Sequence, residues 1–193
     1  RAEARDRILI PVANPSTARS LTHLATMLAQ AGEDTSISVL KVIPTQTTVR
    51  PELRDRLIGR LARKNDALLR SIADEALARN VPLSTRLLPA PTVAQGVLDA
   101  IEPNVKLVLM GWPGPLQGSS LAQNPVKVVL QRAKAHAAVL LDRQLAVVNR
   151  ILVPVGGGPH SRLALRLAYE LSEEEDAEMV ALTCYCEECD GDE

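Results

Sequence analysis

Aromatic residues are nearly absent from the sequence, which has no Phe, one Trp and two Tyr among its 193 residues. Proteins that stack nucleic-acid bases need aromatic faces, and proteins that hold the phosphate backbone need an excess of basic residues. The formal net charge here is -1. Both deficits argue against a nucleic-acid-binding role, and the core has to be built from Leu, Val, Ile and Ala.

Long hydrophobic runs and a secretory signal are also missing. Every apolar run is shorter than the about 20 residues that span a bilayer, and the N-terminal RAEARDR is charged. The three cysteines fall together in TCYCEECDGDE, too few and too local for a secreted disulfide framework. We therefore expect a cytoplasmic location. The first residue is not Met, which suggests a piece of a longer chain.

The cysteines and histidines are the residues that most resemble reactive groups. Cys184, Cys186 and Cys189 have a C-x-C-x2-C spacing that would suit a soft metal, or they end a strand that runs into an acidic tail. We favour the second reading and expect no metal site. The histidines lack a Ser, Cys or Asp at a catalytic spacing, so we expect no catalytic residues and no enzyme activity.

Short apolar, β-branched runs alternate with stretches of helical periodicity. The predicted strands are residues 7–12, 37–43, 81–88, 105–110 and 137–141, and the predicted helices are residues 17–32, 51–80, 92–101 and 125–135. Five strands that alternate with four helices predict an α/β fold with a doubly wound, five-stranded parallel sheet.

The start of the chain is repeated near its end. When Arg7 is aligned with Arg150, RILIPV matches RILVPV, and a helical stretch and an apolar strand follow in both copies. We predict one domain over residues 1–147 and the start of a second, truncated repeat (strand, helix, strand) over residues 148–193.

The two ILIPV-type starts, together with a glycine loop between an apolar strand and a helix, resemble the universal stress protein superfamily. The resemblance implies an adenine nucleotide alpha hydrolase-like sheet with strand order 3-2-1-4-5 and a homodimer paired through the last strand. One branch of that family binds ATP and another does not.

The ATP-binding branch carries an Asp after the first strand and a G-x2-G-x9-G-[ST] loop after the fourth. Gly111 and Gly114 match the first two glycines, but Asn124-Pro125 replaces Gly-[ST] and Ala13 replaces the Asp. The nucleotide-binding candidates that the resemblance implies are Pro11, Ala13, Val42, Met110, Gly111, Gly114, Ser119 and Asn124.

These departures weaken a phosphate site for physical reasons. Asn124 can cap the following helix and Pro125 suits its first position, but proline has no N–H to offer an anion. Ala13 has no carboxylate for ribose hydroxyls. Ser119 and its neighbours in the loop offer other donors. Trp112 either covers a pocket at this edge of the sheet or packs beneath the loop.

The sequence therefore favours a non-catalytic cytosolic regulatory or dimerisation domain with a degraded nucleotide site and no cofactor. The tandem starts and the G-W-x-G loop also resemble the soluble tails of amino-acid and cation transporters, which implies a tether to the membrane portion of a longer parent chain. The alternative is an ATP- or AMP-binding switch, or slow ATPase, that uses the Gly111–Gly114 loop.

Overall fold

A computed structural model describes residues 5–12, 15–32, 34–45, 73, 76–112 and 124–183. The chain divides into two compact units, of which the first ends at Leu145 and the second begins at Ala146. Within the described residues, no helix has the length and apolar character needed to cross a membrane.

Within its described residues, unit 1 has five strands and three helices, besides the short helical stretch at residues 76–78. The strands are β1 (Asp6–Pro11), β2 (Thr35–Pro44), β3 (Leu83–Ala90), β4 (Val105–Gly111) and β5 (His136–Leu140). The helices are α1 (Pro15–Ala31), α2 (Val93–Asp99) and α3 (Pro125–Arg132). Each of these elements lies within a few residues of its predicted position.

The five strands form one sheet in the order β3-β2-β1-β4-β5, with all neighbouring pairs parallel. This confirms the predicted α/β fold class and strand order. The strand β1 is central, and Ile8, Leu9 and Ile10 are all buried, as expected for a parallel sheet covered on both faces. The chain leaves β1 toward β2 on one side and returns to β4 on the other.

The helices cover the sheet from two sides. One apolar cluster joins Leu9 and Leu40 of the sheet to Val97 of α2 and Val129 of α3. The helix α1 contacts β1, β2 and β4. Leu21 is one of the apolar residues of α1 that are buried. Because α1 lies outside the α2 and α3 cluster, it covers the other face.

The predicted long helix over residues 51–80 falls mostly outside the described residues. Its described end agrees with the prediction, since residues 76–78 are helical and a turn follows at Arg79 and Asn80. Asn80 has a φ of 58°, a left-handed conformation that asparagine tolerates better than most residues. The helical stretch therefore stops where the sequence predicts.

The described residues of unit 2 form a βαβ motif. It consists of β6 (Arg150–Pro154), α4 (Gly158–Glu175) and β7 (Glu178–Leu182), and the two strands are parallel. The helix α4 contacts both strands. Val153 is buried, whereas Leu152, Val180 and Leu182, which alternate with the residues beneath α4, are exposed.

Candidate ligand-binding pocket

A cavity of about 360 Å³ lies at the carboxyl ends of β1, β2 and β4, between these strands and the helices α2 and α3. It is lined by Pro11, Val12, Leu40, Lys41, Val42, Ile43, Pro44, Val93, Val97, Met110, Gly111, Pro125, Val126 and Val129. Open α/β sheets bind ligands at this edge, beside the point where the chain reverses its direction of travel across the sheet. The volume lies in the range of small-molecule pockets.

The strand ends that form the pocket floor are held by backbone hydrogen bonds. The Val12 N–H donates to the Leu40 carbonyl at 2.8 Å, and the Thr45 N–H donates to the Ala90 carbonyl at 2.8 Å. Pro11 and Pro44 are the last residues of β1 and β2, where proline's missing N–H no longer interrupts a ladder. The pocket therefore has a fixed backbone at its floor.

Gly111 ends β4 at a point where a helix comes close. A Cβ at this position would lie 3.4 Å from Leu21 Cδ1 and 3.5 Å from Thr17 Cβ, both on α1. A side chain longer than a methyl group would have to displace the first turns of α1 or enter the pocket. The glycine thus sets how closely α1 approaches β4 beside the cavity.

Gly96 on α2 is a supporting residue that the sequence reasoning missed. A Cβ there would lie 2.6 Å from Val42 Cγ1 and 3.0 Å from Ala90 Cβ. The absence of a side chain lets α2 lie directly on β2 and holds the Val42 side chain in the pocket wall. A lone glycine in a predicted helix was the available signal, because such a residue costs helix stability unless something packs against it.

Asn124 is the N-cap residue of α3 and precedes Pro125, which lines the pocket. Its Oδ1 accepts a hydrogen bond from the Val126 N–H at 2.9 Å, and Pro125 takes the first helical position, as the sequence predicts. The Asn124 side chain is buried, and its Nδ2 has no hydrogen-bond partner within the part of the chain that the structure describes. The cap is formed, but half of the carboxamide is unused.

The described walls offer apolar contact rather than acid–base chemistry. Lys41 is the one charged residue among the described lining residues, and none of these residues is a Ser, Cys, His, Asp or Glu. Within residues 5–112 and 124–183, apart from the gaps already given, no cluster of His, Cys, Asp or Glu could hold a metal ion. The arrangement suits the binding of a largely apolar group.

Four of the predicted binding residues line this cavity: Pro11, Val42, Met110 and Gly111. Asn124 adjoins it through Pro125. Ala13, Gly114, Ser119 and the three cysteines lie outside the described residues. The Trp112 side chain packs against the core cluster on the α2 and α3 face, and Trp112 is not among the residues that line the cavity. Its backbone N–H donates to the Leu140 carbonyl at 2.9 Å.

The fold is similar to that of solved universal stress proteins. One from Archaeoglobus fulgidus DSM 4304 matches 97% of this chain and 67% of its own with a TM-score of 0.70 and 20% identity. The protein UspA from Lactobacillus plantarum matches 72% of this chain and 100% of its own, with a TM-score of 0.57 and 20% identity. A universal stress protein solved with cyclic AMP matches 72% of this chain and 98% of its own, with a TM-score of 0.52 and 15% identity.

At the level of sequence, no family profile and no curated protein matches this chain. The likeness is therefore one of fold, at identities of 20% or less. Unit 1 has the five-stranded parallel architecture that these relatives share.

Proposed function

We propose that the chain is a non-catalytic regulatory domain of universal stress protein type whose pocket binds the adenine part of a nucleotide or nucleoside. The observation that carries this proposal is the apolar cavity of about 360 Å³ at the carboxyl edge of the sheet, lined by Pro11, Val42 and Met110. A planar base buried there would gain from the removal of its own apolar faces and those of the walls from water.

The relative solved with cyclic AMP supports the choice of ligand. It shares the fold of unit 1, and the pocket described here occupies the edge of the sheet at which such folds bind ligands. Pro11 and Val42, which the family resemblance assigns to the base, lie together in the pocket wall.

The proposed role is regulatory because some of the groups needed for phosphate chemistry are replaced. Asn124-Pro125 stands where the ATP-binding branch has Gly-[ST], and Ala13 stands where it has Asp. Catalysis of phosphoryl transfer depends on positioned donors and charges around the phosphates. With no acidic, nucleophilic or histidine side chain among the described lining residues, ligand binding is the activity that this pocket supports best.

Calorimetry with adenosine, AMP, cyclic AMP and ATP tests the proposal, with guanosine and GMP as base controls. Saturable binding of at least one adenine compound is expected, and the Val42→Trp variant should lose it because the larger side chain fills the cavity. Val180→Trp is the matched control, since Val180 is exposed on unit 2. If no adenine compound binds the parent chain, or if Val42→Trp binds as the parent does, the proposal is wrong.

A second candidate is an ATP- or AMP-binding switch, or a slow ATPase, that uses the Gly111–Gly114 loop. It is favoured by the position of Gly111, which lines the cavity directly after β4. Binding of ATP much tighter than that of adenosine, release of inorganic phosphate, and loss of both in Gly114→Trp would support this candidate over the first.

The regulatory role proposed here includes partners outside this chain. We propose a homodimer paired through β5, a second repeat of the same type begun by unit 2, and attachment to the membrane portion of a transporter. The tandem arrangement is proposed from the repeated starts RILIPV and RILVPV. Sedimentation of the pure chain tests the dimer, and membrane fractionation of the parent protein tests the attachment.

A further inference from the structure

One side chain fastens the segment that follows β5 to the helix α1. The strand β5 ends at Leu140, and the chain then leaves the sheet. The next residue but one is Asp142, whose Oδ2 accepts a hydrogen bond from the Ser20 hydroxyl of α1 at 2.7 Å. The two residues are 122 positions apart in the sequence, so this bond ties distant parts of unit 1 together.

The other oxygen of the same carboxylate holds the turn that follows. Asp142 Oδ1 accepts hydrogen bonds from the Gln144 N–H at 2.8 Å and from the Leu145 N–H at 3.2 Å, an arrangement typical of aspartate at a turn. Gln144 has a φ of 64°, a left-handed conformation that is uncommon outside glycine, asparagine and aspartate. Because all three bonds end on one carboxylate, loss of the bond from Ser20 also frees the group that stabilises the turn.

The stretch that these bonds hold connects the two units. We call residues 141–149 the connector; unit 1 ends within it at Leu145, and unit 2 begins at Ala146. The structure describes every residue of the connector, and none of them is buried or belongs to a helix or strand. Val147 is 73% exposed. Segments with so little buried apolar surface open at a low cost in free energy, so the hydrogen bonds at Asp142 carry much of the order of the connector.

The bond from Ser20 depends on the position of α1. Ser20 lies on the helix, whereas Asp142 follows a strand of the sheet, so movement of α1 over the sheet changes the distance between them. A hydrogen bond of 2.7 Å is lost beyond about 3.5 Å, so a shift of about 1 Å is enough to break it. Thr17 and Leu21 share the face of α1 that bears Ser20, and they are the residues nearest to where a side chain at Gly111 would begin. This face of α1 is therefore positioned by β4 as well as by Asp142.

We infer that Ser20 and Asp142 form a clasp. While their hydrogen bond is intact the connector is held at α1, and a small shift of α1 or the loss of the Ser20 donor releases it. The clasp makes the order of the connector depend on the placement of α1. This inference goes beyond the proposed function, since it needs no ligand in the cavity and its test succeeds or fails without one.

Amide hydrogen exchange of the whole chain tests the clasp in two variants. Ser20→Ala removes the donor and leaves the carboxylate in place. The Gln144 and Leu145 amides should then exchange about three- to tenfold faster, the value of one ordinary hydrogen bond. Asp142→Ala removes the acceptor of the turn as well and should speed the exchange of these amides further.

Two controls separate release of the connector from a general loosening of unit 1. Ser36→Ala is the matched variant, because the Ser36 hydroxyl donates to the Asp6 carbonyl at an exposed site, and it should leave the turn amides at the parent rate. The Trp112 amide is the internal reference, since it donates to the Leu140 carbonyl at 2.9 Å just before the connector. Its exchange rate in Ser20→Ala should equal that of the parent.

Trypsin cleavage after Arg143, an exposed residue of the connector, gives a second readout and should rise in Ser20→Ala by a similar factor. Turn amides that exchange at the parent rate in Ser20→Ala, or cleavage at the parent rate, would overturn the inference. An equal acceleration of the Trp112 amide would overturn it too, because the whole of unit 1 would then have been loosened.

Discussion

Leu9 and Leu152 occupy matching positions in the sequences RILIPV and RILVPV, but Leu9 is 2% exposed and Leu152 is 59% exposed. Leu9 pairs with Ser38 across β1 and β2, and Leu152 pairs with Val180 across β6 and β7. In unit 1 the Leu9 side of the sheet is covered by α2 and α3. The described residues of unit 2 contain the two strands and α4 alone, so the same sequence pattern produces a core residue in one unit and a surface residue in the other.

Truncation of these two leucines should therefore have unequal effects. Leu9→Ala removes a fully packed side chain and should lower the free energy of unfolding of unit 1 by about 3 kcal/mol. Leu152→Ala removes a side chain that already meets solvent and should cost less than about 1 kcal/mol. Urea unfolding can be followed through Trp112, which is the single tryptophan and lies in unit 1, and by circular dichroism for the whole chain. An equal loss in both variants would mean that Leu152 is covered in solution.

Gly96→Ala should destabilise the protein although alanine is the better helix former. The change would ordinarily gain about 0.5–1 kcal/mol in a helix. Here the new Cβ would lie 2.6 Å from Val42 Cγ1, and overpacking of this kind costs about 1–3 kcal/mol. The expected result is a lower midpoint in urea and weaker binding of any pocket ligand.

A double-mutant cycle with Val42→Ala provides the control for Gly96→Ala. Val42→Ala removes the two Val42 methyl groups, which are the nearest contacts of the new Cβ, and leaves only the Ala90 Cβ at 3.0 Å among the three nearest. Gly96→Ala should therefore cost less in that background than in the parent. Strict additivity of the two changes would show that the clash with Val42 is not the cause.

Much of the fold of unit 1 could be predicted because local patterns and chain topology agree. Continuous buried runs such as Ile8, Leu9 and Ile10 indicate strands covered on both faces, and the alternation with helices leaves few permitted strand orders. The cap at Asn124 followed from residue chemistry alone. Element ends shifted by a few residues, as in β3, which ends at Ala90 rather than Leu88, because hydrogen bonding and not hydropathy sets where a strand stops.

The pocket was harder to predict because it is formed by residues far apart in the sequence. The family resemblance points to Pro11, Val42 and Gly111, whereas Val93 and Val97 lie in the predicted helix over residues 92–101 and belong to no motif. Periodicity indicates that such a face is buried, but it does not distinguish a cavity wall from the core. The unpaired Nδ2 of Asn124 depends on what surrounds one atom, which no sequence pattern encodes.

Asp142 should titrate below its ordinary value, with a measurable effect of pH on stability. The Ser20 hydroxyl donates to Asp142 Oδ2 at 2.7 Å, and the Leu145 and Gln144 N–H groups donate to Oδ1. These bonds, the one from Ser20 above all, lower the pKa of Asp142 below 3.8. A lowered pKa in the folded state gives a contribution to stability that is present above pH 3.8 and is lost as the pH falls through the lower folded value.

The carboxyl carbon of Asp142, followed by NMR through an acid titration, checks this prediction. Ser20→Ala removes the strongest donor and should move the pKa of Asp142 back up toward 3.8. Ser36→Ala is the control, since the Ser36 hydroxyl donates instead to the Asp6 carbonyl. An unchanged Asp142 titration in Ser20→Ala would contradict the assignment of the shift to Ser20.

Asp176 should be a point at which unit 2 can be stabilised. It ends α4 in a left-handed conformation with φ 51° and ψ 43°, and its N–H donates to the Ser172 carbonyl. Asparagine tolerates this conformation about as well as aspartate, but aspartate places a negative charge at the negative end of the helix dipole. Asp176→Asn should therefore raise the stability of unit 2 by about 0.3–1 kcal/mol. Asp176→Ala should lower it, because alanine removes the charge as asparagine does but lacks the tolerance for positive φ.

Amide hydrogen exchange along α4 measures these changes at the element concerned, without interference from unit 1. The gain from Asp176→Asn should shrink as salt is raised, since an exposed charge is screened within about 10 Å at 0.1 M, whereas the loss from Asp176→Ala should persist because backbone strain does not depend on ionic strength. A gain in Asp176→Asn that is the same at low and high salt would point to backbone preference in place of the helix dipole. A gain in Asp176→Ala would contradict the prediction, since the removal of the charge would then outweigh the strain of the left-handed conformation.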